Sequence, residues 1–492
     1  MAFMTAELPE RGVEFLSAGR IVSAVRGRVV RGRTDAQPAG VSIDTRTLPA
    51  GSLFFALVGE RFNGHDFVVQ ALEKGAWGAV VSEAEASRFA DAPGVVIAVP
   101  DTLAALQDLA AAHRARFDIP VVGVTGTNGK TTTKEMLAAI LGRTRPVLKN
   151  PGNLNNHIGV PLTLLGLQST HRAAVIEMGM SGAGEIRRLC EIARPTVGMI
   201  TNVGPAHLKK LATVEEVARA KGELLEMLPP DGIAVLNGDD PAIMGMRSWV
   251  RGRSLIYSMR GVGDVVTRGV RVNGAGHRFQ IVRSDGSEEI VLRMPGRHNV
   301  QNALAAAAAA TVLGVRLADI RAALESFHPV AMRGEVIRVS GRRVINDSYN
   351  ANPRSMTAAL EMLAEMEGDG RKVAVLGDML DLGEYAREAH LEVGAAAARL
   401  KIDFLVTVGD LARHIAEGAV VTGMPEERVR AVSGVEDVVA ILKTVSGPGD
   451  TILVKGSRGM QMERVLAFVE ERGPDRRRGQ GNRRMINGET KD

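Results

Sequence analysis

Val121-Val-Gly-Val-Thr-Gly126-Thr-Asn-Gly129-Lys130-Thr131-Thr132-Thr133 is the stretch from which the rest of the chain can be read. An apolar run stops at a glycine, a short glycine-rich turn follows, and a helical pattern begins. Gly126 and Gly129 let backbone N–H groups turn toward an anion, and the helix N-terminus adds its partial positive charge. Lys130 brings a point charge and Thr131 a hydroxyl suited to Mg²⁺. The common phosphate-loop spacing places a further glycine at position 124, where this chain has Val124; the shorter form keeps the full strand–loop–helix context. A nucleoside triphosphate is the expected ligand, held by Gly126, Thr127, Asn128, Gly129, Lys130, Thr131 and Thr132.

Outward from this loop the same pattern recurs. Apolar runs at 174–179, 197–204 and 232–237 each end in glycine or a small polar residue and give way to a helical pattern. Continuous apolar runs are the mark of strands buried on both faces, so a parallel sheet covered by helices is expected. Between about 255 and 293 the runs alternate with charged residues, and Asp285-Gly286 signals a hairpin. A long alanine-rich helix follows over 299–313. Beyond a boundary near 329–334, apolar runs at 344–345, 372–377, 404–409 and 451–456 predict a second doubly wound unit, closed by a helix over 461–471. The first hundred residues mix short strands and helices. The fold expected is α/β in three domains: a small α/β domain over 1–112, a central phosphate-loop parallel-sheet domain over 113–330 and a Rossmann-like doubly wound domain over 331–472, with a basic tail over 473–492.

At 492 residues the chain has the length of roughly three domains at about 150 residues each. Its one cysteine, Cys190, excludes an intramolecular disulfide and any all-cysteine metal site. Aromatic residues at 3% argue against reading nucleic acid by base stacking. Of the formal net charge of +5, residues 472–492 supply most, with seven basic side chains against three acidic. The rest is close to neutral, so the surplus is no sign of a nucleic-acid partner. The tail reads as a solvated end, with adhesion to RNA or anionic lipid as the lesser reading. The stretch 1–15 carries acidic residues and Pro9 where a secretory signal needs a basic and then an apolar segment, and the apolar run 303–315 is too short to span a bilayer. A cytoplasmic chain without an integral membrane segment is expected, a monomer acting on small molecules.

Several polar residues stand where packing alone does not ask for them. Glu177 interrupts an apolar strand, where a charge is costly unless paired or bound to a metal. His207 follows a strand end and, taken alone, reads as a surface residue or cap. Lys221, in the helical stretch 214–227, reads alone as a solvated lysine. His298-Asn299 stands where it would cap the alanine-rich helix, and the asparagines of the Pro-flanked loops are ordinary turn chemistry.

Taken in order along the chain, further motifs carry a resemblance. They are Ile43-Asp-Thr-Arg46, Gly51-Ser-Leu-Phe-Phe-Ala56, Gly59-Glu-Arg-Phe-Asn-Gly-His-Asp66, Asn153-Leu-Asn-Asn-His-Ile-Gly-Val-Pro-Leu-Thr163 and Glu177-Met-Gly-Met180. Then come Asn202-Val-Gly-Pro-Ala-His207, Ala220-Lys-Gly-Glu223, His298-Asn-Val-Gln-Asn302, Asn346-Asp-Ser-Tyr-Asn-Ala-Asn-Pro353, Val375-Leu-Gly-Asp-Met-Leu-Asp-Leu-Gly-Glu384 and Val454-Lys-Gly-Ser-Arg458. From about residue 42 to 465 the chain resembles the Mur ligase family, the ATP-dependent amide-forming enzymes of peptidoglycan precursor synthesis. Several motifs are common to all of these and to folylpolyglutamate synthetases. Asn-Ala-Asn-Pro and the Gly-Asp-Met-Leu-Asp-Leu-Gly-Glu stretch point to the branch that joins D-Ala-D-Ala to UDP-MurNAc-tripeptide.

The resemblance implies that the γ-phosphoryl of ATP is moved onto a carboxylate and an amine attacks the acyl phosphate. It assigns catalysis to Lys130, Glu177, His207 and Lys221, with magnesium, at two sites, on Thr131, Glu177, His207 and a carbamylated Lys221. It places Asn299 on adenine, Arg333 on the phosphates and Asp347 on the ribose, so that ATP lies between the central and C-terminal domains. Ser42, Thr45, Arg46, Asn63 and His65 are implied to hold the UDP-sugar, and Asn153, Asn155, Asn156 and His157 the peptide beside the γ-phosphate. Asn350, Asn352, Lys455 and Ser457 are candidates for the dipeptide. Asp378 either orients the incoming amine or closes a turn after Gly377. Within the same chemistry the alternatives are another Mur ligase or a folylpolyglutamate synthetase; outside it, a nucleotide-binding switch without ligase activity. No position decides whether the third peptide residue is meso-diaminopimelate or lysine.

Overall fold

The computed structural model describes residues 16–466. These fall into two compact units. One runs to Val330 and takes in Asp381–Tyr385; the other comprises Ala331–Leu380 and the chain from Ala386 onward. The tail over 473–492 lies outside the described residues.

The first unit holds two sheets. A five-stranded sheet runs in the order Arg28–Arg31, Val95–Val99, Gly78–Ser82, Ser52–Phe55, Gly40–Ser42, parallel except for its first edge strand. In the nine-stranded sheet the parallel core runs Val147–Lys149, Ala173–Glu177, Val121–Thr125, Val197–Ile200, Ile233–Asn237, Arg253–Ser258 and Val265–Asn273. Gly276–Arg283 and Gly286–Leu292 extend it as an antiparallel ribbon. The first two of the three expected domains fall in one compact unit because their apolar packing is continuous. One core runs from Leu53, Val80 and Ile97 through Leu106 and Leu109 of helix Thr102–Arg114 to Ile176 and Leu224, so the first two sheets share buried surface.

The second unit is a six-stranded sheet in the order Glu335–Val339, Arg342–Asn346, Thr451–Lys455, Lys372–Gly377, Phe404–Val408, Val429–Val432, parallel apart from its first strand. Val373, Val406, Ile452 and Val454 lie at its core.

Three expectations shift in detail. The hairpin loop is Ser284-Asp285, because Arg283 pairs with Gly286, which is already in the strand. The alanine-rich helix spans Arg297–Val312 and is capped by Gly296; Asn299 is inside its first turn and donates to the Pro295 carbonyl at 2.8 Å, so it is not the cap. Where a helix over 461–471 was expected, the described part is a 3₁₀ turn, Met462–Leu466, and the remainder lies outside the described residues. Among the described residues no helix is long and apolar enough to cross a membrane.

Candidate active site

The phosphate loop sits at the carboxyl end of strand Val121–Thr125, where open parallel sheets bind ligands. Gly126 has φ +147° and Gly129 φ +79°. A Cβ at Gly126 would lie 2.0 Å from Thr201 Oγ1, and one at Gly129 2.2 Å from Asn302 Oδ1, so both positions need glycine for space as well as conformation. The next strand end braces the loop. Thr127 N–H donates to the Asn202 carbonyl at 2.8 Å, Asn128 N–H to Asn202 Oδ1 at 2.9 Å, and Thr201 Oγ1 to the Asn128 carbonyl at 2.6 Å. Helix Lys130–Gly142 starts with Gly129 as its cap residue, so no cap side chain covers its first-turn N–H groups. Lys130 Nζ folds over the loop, donating to the carbonyls of Gly126 at 2.7 Å and Thr127 at 3.1 Å. Thr131 and Thr132 are buried.

Beside the loop, Glu177 ends strand Ala173–Glu177 and faces Val124 across the ladder. It is 1% exposed. Oε1 accepts from Asn155 Nδ2 at 2.7 Å, whereas Oε2 has no hydrogen-bond partner. A buried, orphaned carboxylate oxygen is what a hard cation satisfies. Lys134, which the sequence reading passed over, stands 3.7 Å from that oxygen and is fully buried. It follows Lys130 by four residues and so shares its helix face, but nothing in the sequence marks that face as buried.

Lys221 lies inside helix Val214–Glu226, 2% exposed, and forms no hydrogen bond or ion pair among the described residues. Burial, and then the charge of Lys130, push its ammonium well below the ordinary lysine range. Its helix is anchored by Glu223, whose two oxygens accept from Gly184 N–H at 2.6 Å and Arg187 N–H at 2.9 Å. His207 holds a left-handed backbone, φ +59°. Burial, then Lys221, then Lys130 lower its imidazole to about 4, leaving a neutral ring with a lone pair for a metal. Lys130, Lys221 and His207 thus form one mutually interacting group. Among the described residues no three His, Cys, Asp or Glu side chains gather as a metal site. The expected donor set contains only two of those types, Glu177 and His207, beside Thr131 and Lys221. The open carboxylate oxygen of Glu177 and the buried hydroxyl of Thr131 are the donors that fit magnesium, a hard cation; the His207 imidazole is a softer donor.

Other predicted residues are tied into their own surroundings. Ser42 Oγ caps its turn through Asp44 N–H at 3.2 Å, Thr45 Oγ1 donates to Gln70 at 2.9 Å, and Arg46 grips Asp44. His65 donates from Nδ1 to Asn63 Oδ1 at 2.7 Å and accepts Ser82 N–H on Nε2 at 2.9 Å. Burial lowers its pKa, which suits that neutral tautomer. Asn156 Oδ1 accepts from Ile158 and Gly159 N–H, while Asn153 and His157 are exposed. Asn299 Oδ1 accepts from Asn302 at 3.2 Å, and Asn302 in turn crowds Gly129, which connects the predicted adenine residue to the phosphate loop.

In the second unit Arg333 stacks on Tyr349, 3.9 Å from the ring centre. Asp347 Oδ2 pairs with buried Lys455 at 2.6 Å, and Lys455 also donates to the exposed Asn350's carbonyl at 2.9 Å. Asn352 forms a capping box with Ser355 at the start of helix Pro353–Glu365. Ser457 Oγ accepts from Leu380 N–H at 2.9 Å. Asp378 Oδ1 accepts from Ala412 N–H at 2.7 Å, and a Cβ at Gly409 would meet its carboxylate, so these contacts tie it to the segment after the neighbouring strand Phe404–Val408.

With this geometry, the chain matches three family models in succession: the Mur ligase family catalytic domain over residues 38–114, the Mur ligase middle domain over 124–310 and the Mur ligase glutamate ligase domain over 332–458. It is 40% identical over 433 residues to the UDP-N-acetylmuramoyl-tripeptide–D-alanyl-D-alanine ligase of Bacillus subtilis (strain 168), covering 88% of this chain and 93% of that protein. The protein of the same name from Escherichia coli (strain K12) is 38% identical, covering 88% and 94%. A crystal structure of MurF from Acinetobacter baumannii superposes with a TM-score of 0.86 at 34% identity, covering 94% of this chain and all (100%) of that one. MurF ligase from Thermotoga maritima in complex with ADP gives a TM-score of 0.77 at 30% identity, covering 88% and 97%.

Proposed function

The chain belongs to the Mur ligase family, and from that premise we propose that it joins D-Ala-D-Ala to UDP-MurNAc-tripeptide with ATP, giving UDP-MurNAc-pentapeptide, ADP and phosphate. It is a ligase with a nucleotide site, and its relatives' shared name supports the substrate pair. The observation that carries the chemistry is the pairing of a braced phosphate loop with buried Glu177, one oxygen of which is open.

A carboxylate is a poor electrophile, so the tripeptide's terminal carboxylate must first be activated. Its oxygen bonds the γ-phosphorus as the bond to ADP breaks; the dipeptide amine then attacks the carbonyl carbon, losing a proton as phosphate leaves. Lys130 and the first-turn N–H groups hold the triphosphate and offset the repulsion of an approaching carboxylate. Thr131, Glu177, His207 and carbamylated Lys221 are the residues that would hold magnesium, which when bound supplies positive charge to phosphate and carboxylate oxygens. Lys221 suits carbamylation because it is buried, without a partner, and disfavoured as a cation. Its neutral amine adds to CO₂, forming an N–C bond and losing a proton, and the carbamate restores a counter-charge beside Lys130. Arg333, Asp347 and Asn299 serve the nucleotide in this reading, and the loop over 153–157 meets the peptide. The substrates are small polar molecules, a nucleotide-linked tripeptide, a dipeptide and ATP, and the cytoplasm, where ATP is supplied, is the setting.

The test is phosphate release with ATP, Mg²⁺ and D-Ala-D-Ala, with and without UDP-MurNAc-tripeptide, followed by mass spectrometry. Release that needs both acceptors and yields the pentapeptide mass supports the reading. Release indifferent to both, or ligation of glutamate to a folate instead, refutes it.

A further inference from the structure

Lys134 is fully buried, and a buried ammonium is costly unless it is both paired and hydrogen-bonded. Three chain segments meet that need. Nζ donates to the carbonyls of Asn150 at 2.7 Å and Gly152 at 3.1 Å, and lies 3.1 Å from Glu135 Oε1 and 3.7 Å from Glu177 Oε2. The segment it grips then wraps Glu177. Asn150 Oδ1 accepts Glu177 N–H at 2.6 Å, and Asn150 Nδ2 donates to the Leu154 carbonyl, also at 2.6 Å. Asn155 Nδ2 holds Glu177 Oε1 at 2.7 Å while its carbonyl accepts Gly179 N–H at 2.8 Å. On the outer side of the same loop Asn153 and His157 are exposed.

We propose that Lys134 is a positioning residue that ties the phosphate-loop helix to the loop over 150–156, and through Asn150 and Asn155 fixes both the outer face of that loop and the direction of the Glu177 carboxylate. A side chain needed only to fill the core would be apolar. Lys134 instead takes two carbonyls from a loop that no sheet ladder or helix supports, so the loop's conformation depends on it. The inference rests on the ligase reading for its kinetic consequence and on the contacts alone for its structural one.

Lys134→Met keeps the length of the side chain and removes charge and donors. Amide exchange over 150–156, measured without substrate, should quicken about tenfold or more, while helix Lys130–Gly142 keeps its protection. The KM for UDP-MurNAc-tripeptide should rise about tenfold or more, with affinity for a fluorescent ADP analogue held within about twofold. If Lys134→Met does not fold, Lys134→Gln is measured in the same way. Unchanged exchange in the loop overturns the proposal, as does a loss shared equally by nucleotide and tripeptide. Since exchange is read with no substrate present, failure of the ligase reading would leave that arm standing.

Discussion

The surroundings of the phosphate loop and the polar loop over 63–65 treat buried polarity in opposite ways. Glu177 and Lys221 are buried with valences left open: one carboxylate oxygen has no hydrogen bond, and the Lys221 amine, disfavoured as a cation, has no partner among the described residues. His65 is as deeply buried, yet both ring nitrogens are engaged, and the Asn63 oxygen serves the ring and its backbone N–H together. Open valences in a dry setting are destabilising unless something outside the chain completes them. Closed ones shape a loop. The contrast separates groups kept for chemistry from groups kept for form.

The strongest attempt to break that contrast is Glu177→Gln. It retains the oxygen that Asn155 needs and removes the charge, so kcat should fall about 10³-fold, while ADP affinity by fluorescence titration changes little. A drop below about tenfold would mean that the open oxygen has no catalytic partner. Lys221→Ala should lower kcat about 10²-fold without lowering the melting temperature, because the buried amine it deletes has no partner among the described residues; calorimetry beside the phosphate assay checks both halves.

A third prediction uses pH. The folded His207 imidazole titrates at about 4 against an ordinary 6.5, so between those values the unfolded chain binds more protons. This contribution to stability is present above pH 6.5 and is lost as pH falls toward 4. Urea midpoints should therefore drop between pH 7 and 4.5, and His207→Gln should shrink that drop. The smallest effect belongs to a closed group. Asn352→Ala should cost about 1 kcal/mol of stability through loss of the helix cap, and a rise in KM for D-Ala-D-Ala without that loss would move Asn352 to the open class.

Much of this was readable before the structure. Apolar runs ending in glycine gave the parallel strands because burial on both faces removes alternation, and Gly126-Thr-Asn-Gly129-Lys130-Thr131 announced its anion site through its glycines, its Lys-Thr pair and its strand–loop–helix context. Glu177 was legible because a charge in an apolar strand demands a reason. Lys134 was not, since a lysine between Thr133 and Glu135 looks like a solvated helix position; only the loop folding back over it shows that its face is inward. Asn352 and Asp378 show the converse. Their motifs suggested recognition, and their side chains turn out to hold backbone N–H groups at Ser355 and Ala412. Motif membership does not distinguish a ligand contact from a cap that shapes the loop. The merging of the first two sheets into one unit was also hidden, because a shared core depends on which helix faces meet.

The central claim is that this site activates a carboxylate by phosphoryl transfer, and oxygen tracing tests it most directly. UDP-MurNAc-tripeptide labelled with ¹⁸O in its terminal carboxylate is turned over with ATP and D-Ala-D-Ala, and the products are weighed by mass spectrometry. The account predicts one labelled oxygen in the released phosphate for each amide formed. Label found in AMP, or phosphate released without label as the amide forms, would contradict it.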